Sequence, residues 1–256
     1  MDYLQRMHLK NKEGRNKKML NKKITAIIKK ILVNAELTSD EKRIYIDYSI
    51  CKNHTGKMLG MQSISTSPLE NPYCQARKEK ENCICAYCYA ESMINKYTAL
   101  SNKLKVNTLF YSRYRIEKKD VPLINCCYFR FESFGDLQNV LQLENYYTIA
   151  KANNQTVKRF GLWTKNYNFT NKTKIKKPRN MTIVYSEPIL NKLWTISEFE
   201  LFQKYNPAID HVFIVCTKDY IKQNNVVVTC GARSCLKCHK CYYCKKQHRI
   251  IVEQKK

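Results

Sequence analysis

Nine of the chain's thirteen cysteines fall in two short stretches. The first reads Cys74-x8-Cys83-x-Cys85-x2-Cys88, and the second Cys230-x4-Cys235-x2-Cys238-x2-Cys241-x2-Cys244. Thiolates crowded this closely repel one another, and only a cation or a covalent bridge makes the crowding favourable. Whatever fold the chain adopts must therefore gather each stretch around something. The first stretch, MDYLQRMHLKNKEGRNKK, lacks the apolar run of a signal peptide, which predicts a cytosolic protein. In a reducing compartment an odd number of cysteines does not read as a disulfide framework, so metal ligation is the first expectation.

Spacing leaves the metal open. Zinc sites usually pair two Cys-x2-Cys units across a longer spacer, whereas a run of Cys-x2-Cys-x2-Cys resembles iron–sulfur ligation. With four ligands per site, Cys83 and Cys85 compete in the first stretch, and Cys244 is spare in the second. His239 reads as a bystander. Cys51, Cys126, Cys127 and Cys216 sit in apolar or strand contexts and read as small core residues.

The charge narrows the partners. Forty-six basic and 21 acidic residues give +25, a field that attracts polyanions such as nucleic acid. Lysine far outnumbers arginine, and the wealth of Lys, Asn, Ile and Tyr also fits an AT-rich genome. No apolar run approaches the roughly 20 residues that span a bilayer, so no membrane span is expected. There is no GxGxxG and no P-loop, which argues against common dinucleotide binding or NTP hydrolysis.

Apolar patterning supplies the fold class. Residues 16–36 place Ile24, Ile27, Ile28, Ile31 and Leu32 at helical spacing between lysines, an amphipathic helix expected to pack on the domain. Strands are predicted at 43–50, 57–66, 125–133, 159–165, 181–187, 211–217 and near 249–254; helices at 89–115, 137–153 and 198–205. The alternation of strand and helix argues for parallel βαβ units: an α/β partial (β/α) barrel or open parallel sheet with a cysteine-rich C-terminal metal module. Three units follow: residues 1–56 as a basic extension, 57–228 as the α/β core, and 229–256 as the metal-binding segment.

In such a sheet the chemistry collects at the carboxyl ends of the strands. Asp136 follows one strand, and its alternative role is to cap the helix after it. Trp163-Thr164-Lys165-Asn166, Ser186-Glu187 and Thr217-Lys218 close three more strands.

The order of these parts resembles the radical S-adenosylmethionine enzymes. A cysteine loop follows an early strand, and Glu132-Ser133-Phe134-Gly135-Asp136 follows the next. Cys85-Ala86-Tyr87-Cys88 matches the family's last two cysteines flanking an aromatic residue. Position 81 is Glu where the family has its first cysteine, so a third ligand must come from Cys74 or Cys83. The resemblance implies an iron–sulfur cluster of the 4Fe–4S kind on Cys74, Cys85 and Cys88 with Cys83 an alternate. It also implies S-adenosylmethionine held near Glu132, Ser133, Gly135 and Tyr87, with Asp136 and Lys165 as catalytic groups.

A closer resemblance, from about residue 57 onward, is to the phage "gene product 88" family. It rests on residues 59–67, Ile84-Cys85-x2-Cys88-Tyr89-Ala90, Phe131-x-Ser133-x-Gly135-Asp136, Leu162-Trp163-Thr164-Lys165 and the terminal cysteine run, with Phe134 inserted in the third element. It implies a phage or mobile-element protein in a bacterial host's cytoplasm. The leading expectation is an iron–sulfur, radical-S-adenosylmethionine-like redox enzyme acting on a nucleic acid, a nucleotide or another substrate. Cys230, Cys235, Cys238 and Cys241 would hold a second metal. The alternative is a zinc-stabilised, basic nucleic-acid-binding protein without catalysis.

Overall fold

A computed structural model describes the backbone of residues 3–243 and 249–255, and the side chains of residues 18–243 and 249–255. Two helices come first, α1 (Tyr3–Leu32) and α2 (Ser39–Ser49). Ile27 and Ile31, one turn apart on α1, are buried in the core, while Met19 and Leu20 stay exposed. The strand expected at 43–50 is instead the body of α2. Thr38 and Glu41 form a reciprocal cap: the Thr38 hydroxyl accepts the Glu41 N–H at 3.2 Å, and the Glu41 carboxylate accepts the Thr38 N–H at 2.9 Å. That cap satisfies two donors at the helix start and overrides the short apolar alternation behind it.

Six strands form one open, all-parallel sheet in sequence order. They are β1 (Gln62–Ile64), β2 (Cys126–Phe131), β3 (Val157–Thr164), β4 (Met181–Ser186), β5 (His211–Cys216) and β6 (Ile250–Gln254). Between β1 and β2 lie α3 (Pro72–Lys78), α4 (Tyr89–Lys96) and α5 (Thr98–Arg113). The single helix expected over 89–115 breaks at Tyr97, which is extended at φ −125° and ψ 94°. Next come α6 (Val140–Ala152) before β3, α7 (Ile196–Tyr205) before β5, and α8 (Lys218–Gln223) and α9 (Cys235–Cys238) before β6.

Because strands adjacent in sequence are adjacent in the sheet, every connection steps the same way. Right-handed crossovers then put the connecting helices on one face. Strand alternation shows the two faces directly. Phe129, Phe131, Phe160, Leu162, Ile183 and Ile214 point into the core with α1, α2, α5, α6 and α7. Ile27, Tyr45 and Ile46 belong to that same core, so the described part of residues 1–56 packs with the sheet.

Tyr128, Trp163 and Thr182 look the other way and are covered by the cysteine-rich segment. Tyr242, 1% exposed, seats its ring over Gly161. A Cβ at Gly161 would lie 2.9 Å from the Tyr242 ring and 2.8 Å from Trp163, so the glycine leaves the notch the tyrosine fills.

The edges β1 and β6 do not pair, and laid flat they would stand about 24 Å apart at ordinary strand spacing. The turn Gly56–Met58 that leads into β1 nevertheless reaches β6, where the Lys57 ammonium meets Glu253 at 2.6 Å. Residues 230–243 lie inside this span, on the face opposite the long helices.

Candidate functional site

The carboxyl ends of β1, β2 and β3 enclose a cavity of about 40 Å3 lined by Cys74, Cys85, Cys88, Gly135, Asp136 and Lys165. Each thiol arrives on a different turn. Asn71 caps α3 by accepting the Tyr73 N–H at 3.0 Å, and Pro72 supplies a first helical residue whose missing N–H costs nothing there. That places Cys74 in the first turn. The Asn71 amide also donates to the Asp136 carbonyl at 2.9 Å, pinning α3 to the exit of β2. Cys85 lies in a 3-10 turn (Ile84–Tyr87), and Cys88 precedes α4. Two backbone bonds stitch this loop to the exit of β4: Ile84 N–H to Pro188 O at 2.8 Å, and Leu190 N–H to Asn82 O at 2.7 Å. Cys83 is buried beside that seam and does not line the cavity.

Asp136 is a clamp. One oxygen accepts the Leu137 N–H at 2.7 Å and the Thr164 hydroxyl, and the other accepts the Lys165 N–H at 2.8 Å. The carboxylate thus holds the ends of β2 and β3 together, and burial raises its pKa. Asn139, not Asp136, caps α6. Lys165 stays protonated. Burial opposes its charge, but Cys85, Asp136 and Cys74 favour it, and the net shift is upward. Burial pushes the Cys85 thiol up to about 12 against the pull of Lys165, and raises Cys74 further. Gly135 packs on the loop after β1, where a Cβ would sit 2.7 Å from the Thr66 carbonyl oxygen. Only hydrogen fits.

The remaining expected ligand residues fall elsewhere. Glu132 has a left-handed backbone, φ 57°, which breaks the strand alternation and turns its side chain to the helix face. There it accepts the Thr66 N–H at 3.1 Å, the Thr66 hydroxyl at 2.9 Å, the Gln142 amide at 2.7 Å and the Tyr146 hydroxyl. Burial outweighs these bonds and raises its pKa to about 7. Ser133 is buried, with its N–H on the Ser65 hydroxyl at 3.0 Å. Tyr87 is 64% exposed under the Lys255 ammonium, 3.6 Å from its ring centre. Tyr73, which no sequence signal marked, donates its hydroxyl to the Lys165 carbonyl at 2.8 Å. Asn71 was legible in principle, because Asn followed by Pro matches an N-cap with proline at the first helical position.

A second cavity of about 30 Å3, on the face opposite the long helices, is lined by Cys230, Cys235, Cys238 and Cys241 together with Arg130 and Trp163. Ser234 caps the single turn of α9, and His239 reverses the chain with φ 41°. The His239 ring also lines this cavity and stacks on Tyr128, with centroids 5.9 Å apart. Cys230 is tied to β6 through its N–H to Val252 O at 2.9 Å. Burial raises the pKa of Cys241 and brings Cys230 to about 11. Cys244 lies outside the described residues.

The two cavities share no lining residue. Trp163 borders one and Lys165 the other, about 7 Å apart along β3 by strand rise. Among the described residues no three His, Cys, Asp or Glu side chains stand at metal-ligating separation. Each cavity thus gathers thiol donors without closing them on a common point. Of the cysteines expected in the core, Cys216 is buried, Cys51 and Cys126 are half-buried, and Cys127 is exposed. No described helix is long and apolar enough to cross a membrane. Comparison with known proteins returns no match to a protein family, to a curated protein or to a solved structure.

Proposed function

We propose that this chain is an iron–sulfur redox enzyme of radical-S-adenosylmethionine-like layout, with its centre on Cys74, Cys85 and Cys88. The observation that carries it is their meeting in one cavity at the carboxyl ends of parallel strands, beside Lys165. The donor chemistry fits: soft thiolates with a cation to offset their charge. The enclosed volume accepts about three waters, less than a four-iron cluster needs, so a cluster would extend into the mouth beside exposed Lys78. Held by these three thiolates, an iron–sulfur centre would supply single-electron chemistry to a small molecule bound beside it.

The protein's own groups have separate tasks. Lys165 offsets thiolate charge and can meet an anionic group of the ligand. Asp136 holds the main chain of Lys165 in place. Gly135 leaves bare backbone on the cavity wall, which lets a ligand come close. Glu132 already accepts four protein donors and has no place for a ligand's amino group, whereas Asp136 accepts three and keeps acceptor capacity on the oxygen that meets the Lys165 N–H. Strand order and cysteine placement are what support S-adenosylmethionine. The charge of +25 supports a polyanionic substrate, nucleic acid or nucleotide, and the motif resemblance supports a phage or mobile-element setting.

Anaerobic purification followed by iron, sulfide and zinc analysis tests the proposal. Brown protein that bleaches with dithionite, and loses iron and sulfide in Cys85→Ser and Cys88→Ser, is the expected result. Zinc with no iron or sulfide would overturn it. The chain would then read as a zinc-stabilised, basic nucleic-acid-binding protein, checked by binding across a salt series.

A further inference from the structure

We infer that Cys230, Cys235, Cys238 and Cys241 hold one thiophilic divalent cation of the zinc type, with Arg130 as its buried counter-charge, and that this ion latches residues 230–243 onto the sheet. The inference uses none of the rim cysteines, so it stands or falls apart from the iron–sulfur proposal.

Charge is the first ground. Arg130 rises from β2 into this cavity, and its guanidinium is always protonated. Among the described residues it meets no carboxylate. Its neighbours are the Trp163 ring at 4.1 Å and the Met58 sulfur at 3.9 Å. Its Nε is buried without an acceptor, and so is the hydroxyl of Tyr242, 1% exposed on the same cavity wall. Leaving such donors and a cation without an anion in the protein interior is costly. Two other cations stand near these thiols: Lys57 is matched by Glu253 at 2.6 Å and lies 3.9 Å from Cys230 Sγ, and Lys240 lines the cavity with its ammonium donating to the Thr229 carbonyl at 3.2 Å. Four neutral thiols cannot offset Arg130. Four thiolates on a divalent ion carry a net charge of −2, and their sulfurs accept hydrogen bonds.

Size and chain path are the second ground. A cavity of about 30 Å3 holds about two waters, which suits a single ion. Cys235 and Cys238 are one turn apart on α9, the left-handed His239 reverses the chain before Cys241, and β6 fixes Cys230. The pattern supplies four ligands for a closed, structural site, with the sulfurs still to be drawn together by the ion. Closing the sphere would fasten β6, α9 and the segment carrying Tyr242 to one point over β2 and β3.

The test uses the full chain with Cys74, Cys85 and Cys88 all changed to Ser, leaving the rim without its thiols. Cobalt(II) is titrated in as the probe. One equivalent with the absorption of a tetrahedral thiolate site is expected, lost in Cys235→Ser/Cys238→Ser. Arg130→Gln should weaken it by about 10–100-fold, the usual effect of an outer-shell partner, while exposed Lys237→Gln should leave it unchanged. No cobalt bound, or iron and sulfide at these cysteines, would overturn the single-ion site. Equal affinities for the Arg130 and Lys237 variants would overturn the counter-charge. Should the double cysteine variant not fold, thiol titration of the rim variant decides. Chelation must release four thiols together, and release of fewer refutes the site.

Discussion

Replacing Glu132 by glutamine should flatten the dependence of folding stability on pH between about 5 and 8. Burial raises the folded pKa of Glu132 from 4.5 to about 7. A carboxyl that binds its proton more tightly when folded stabilises the fold below its unfolded pKa, and loses that contribution as pH rises through the folded value. The difference of about 2.5 units is worth about 3 kcal/mol. The amide variant has no such proton. It carries a constant cost of about 1–3 kcal/mol, because an NH2 group must face donors from Thr66, Gln142 or Tyr146. Urea unfolding of both proteins at pH 5, 6, 7 and 8 separates the two effects. The stability of the natural protein relative to the variant should fall by about 2.5 kcal/mol from pH 5 to 8, the rest of the difference lying below pH 5, and other titrating groups cancel. Parallel curves would refute the argument that burial, rather than the four donors, governs this carboxyl.

Gly135→Ala should cost about 1–3 kcal/mol, since the new methyl meets the Thr66 backbone, which cannot yield as a side chain would; an unchanged urea midpoint would show slack between the two loops. Asp136→Asn sets an amide NH2 against the Leu137 or Lys165 N–H and should destabilise by about 1–3 kcal/mol, read in the same assay. Gly161→Ala should lift Tyr242 from its notch, seen as faster limited proteolysis within residues 229–243 at little cost to the rest of the fold.

Much of the architecture was legible because the central strands are short, nearly continuous apolar runs. HVFIVC and MTIVYS can be little else when helical patterns flank them. The misreadings have local causes. RIYIDYSI alternates for too few residues to tell strand from helix, and the Thr38–Glu41 cap decides it. The helix break at Tyr97 carries no glycine or proline, and it follows from α4 serving the cysteine loop while α5 serves the core. At the rim, Cys74, Cys85, Cys88, Gly135, Asp136 and Lys165 line one cavity, a grouping that the strand-end placement and the resemblance implied and spacing alone did not. Glu132 does not, because one left-handed residue shifts it to the opposite face, and φ is not written in a carboxylate's place in the sequence. Tyr87 shows a different failure. Lying between two cysteines says nothing of which way a side chain points from a 3-10 turn.

The sequential strand order sets a timetable for synthesis. The helix-covered face of the sheet can assemble as each βα unit leaves the ribosome. The opposite face stays bare until Tyr242 follows, about 180 residues after β1, or roughly 10–35 s at ordinary elongation rates. Through that interval Tyr128, Trp163 and the Gly161 notch face water on a sheet with an unpaired β5 edge. The cell therefore handles an unfinished sheet with an exposed apolar face, and chaperone demand should peak just before residues 230–254 emerge.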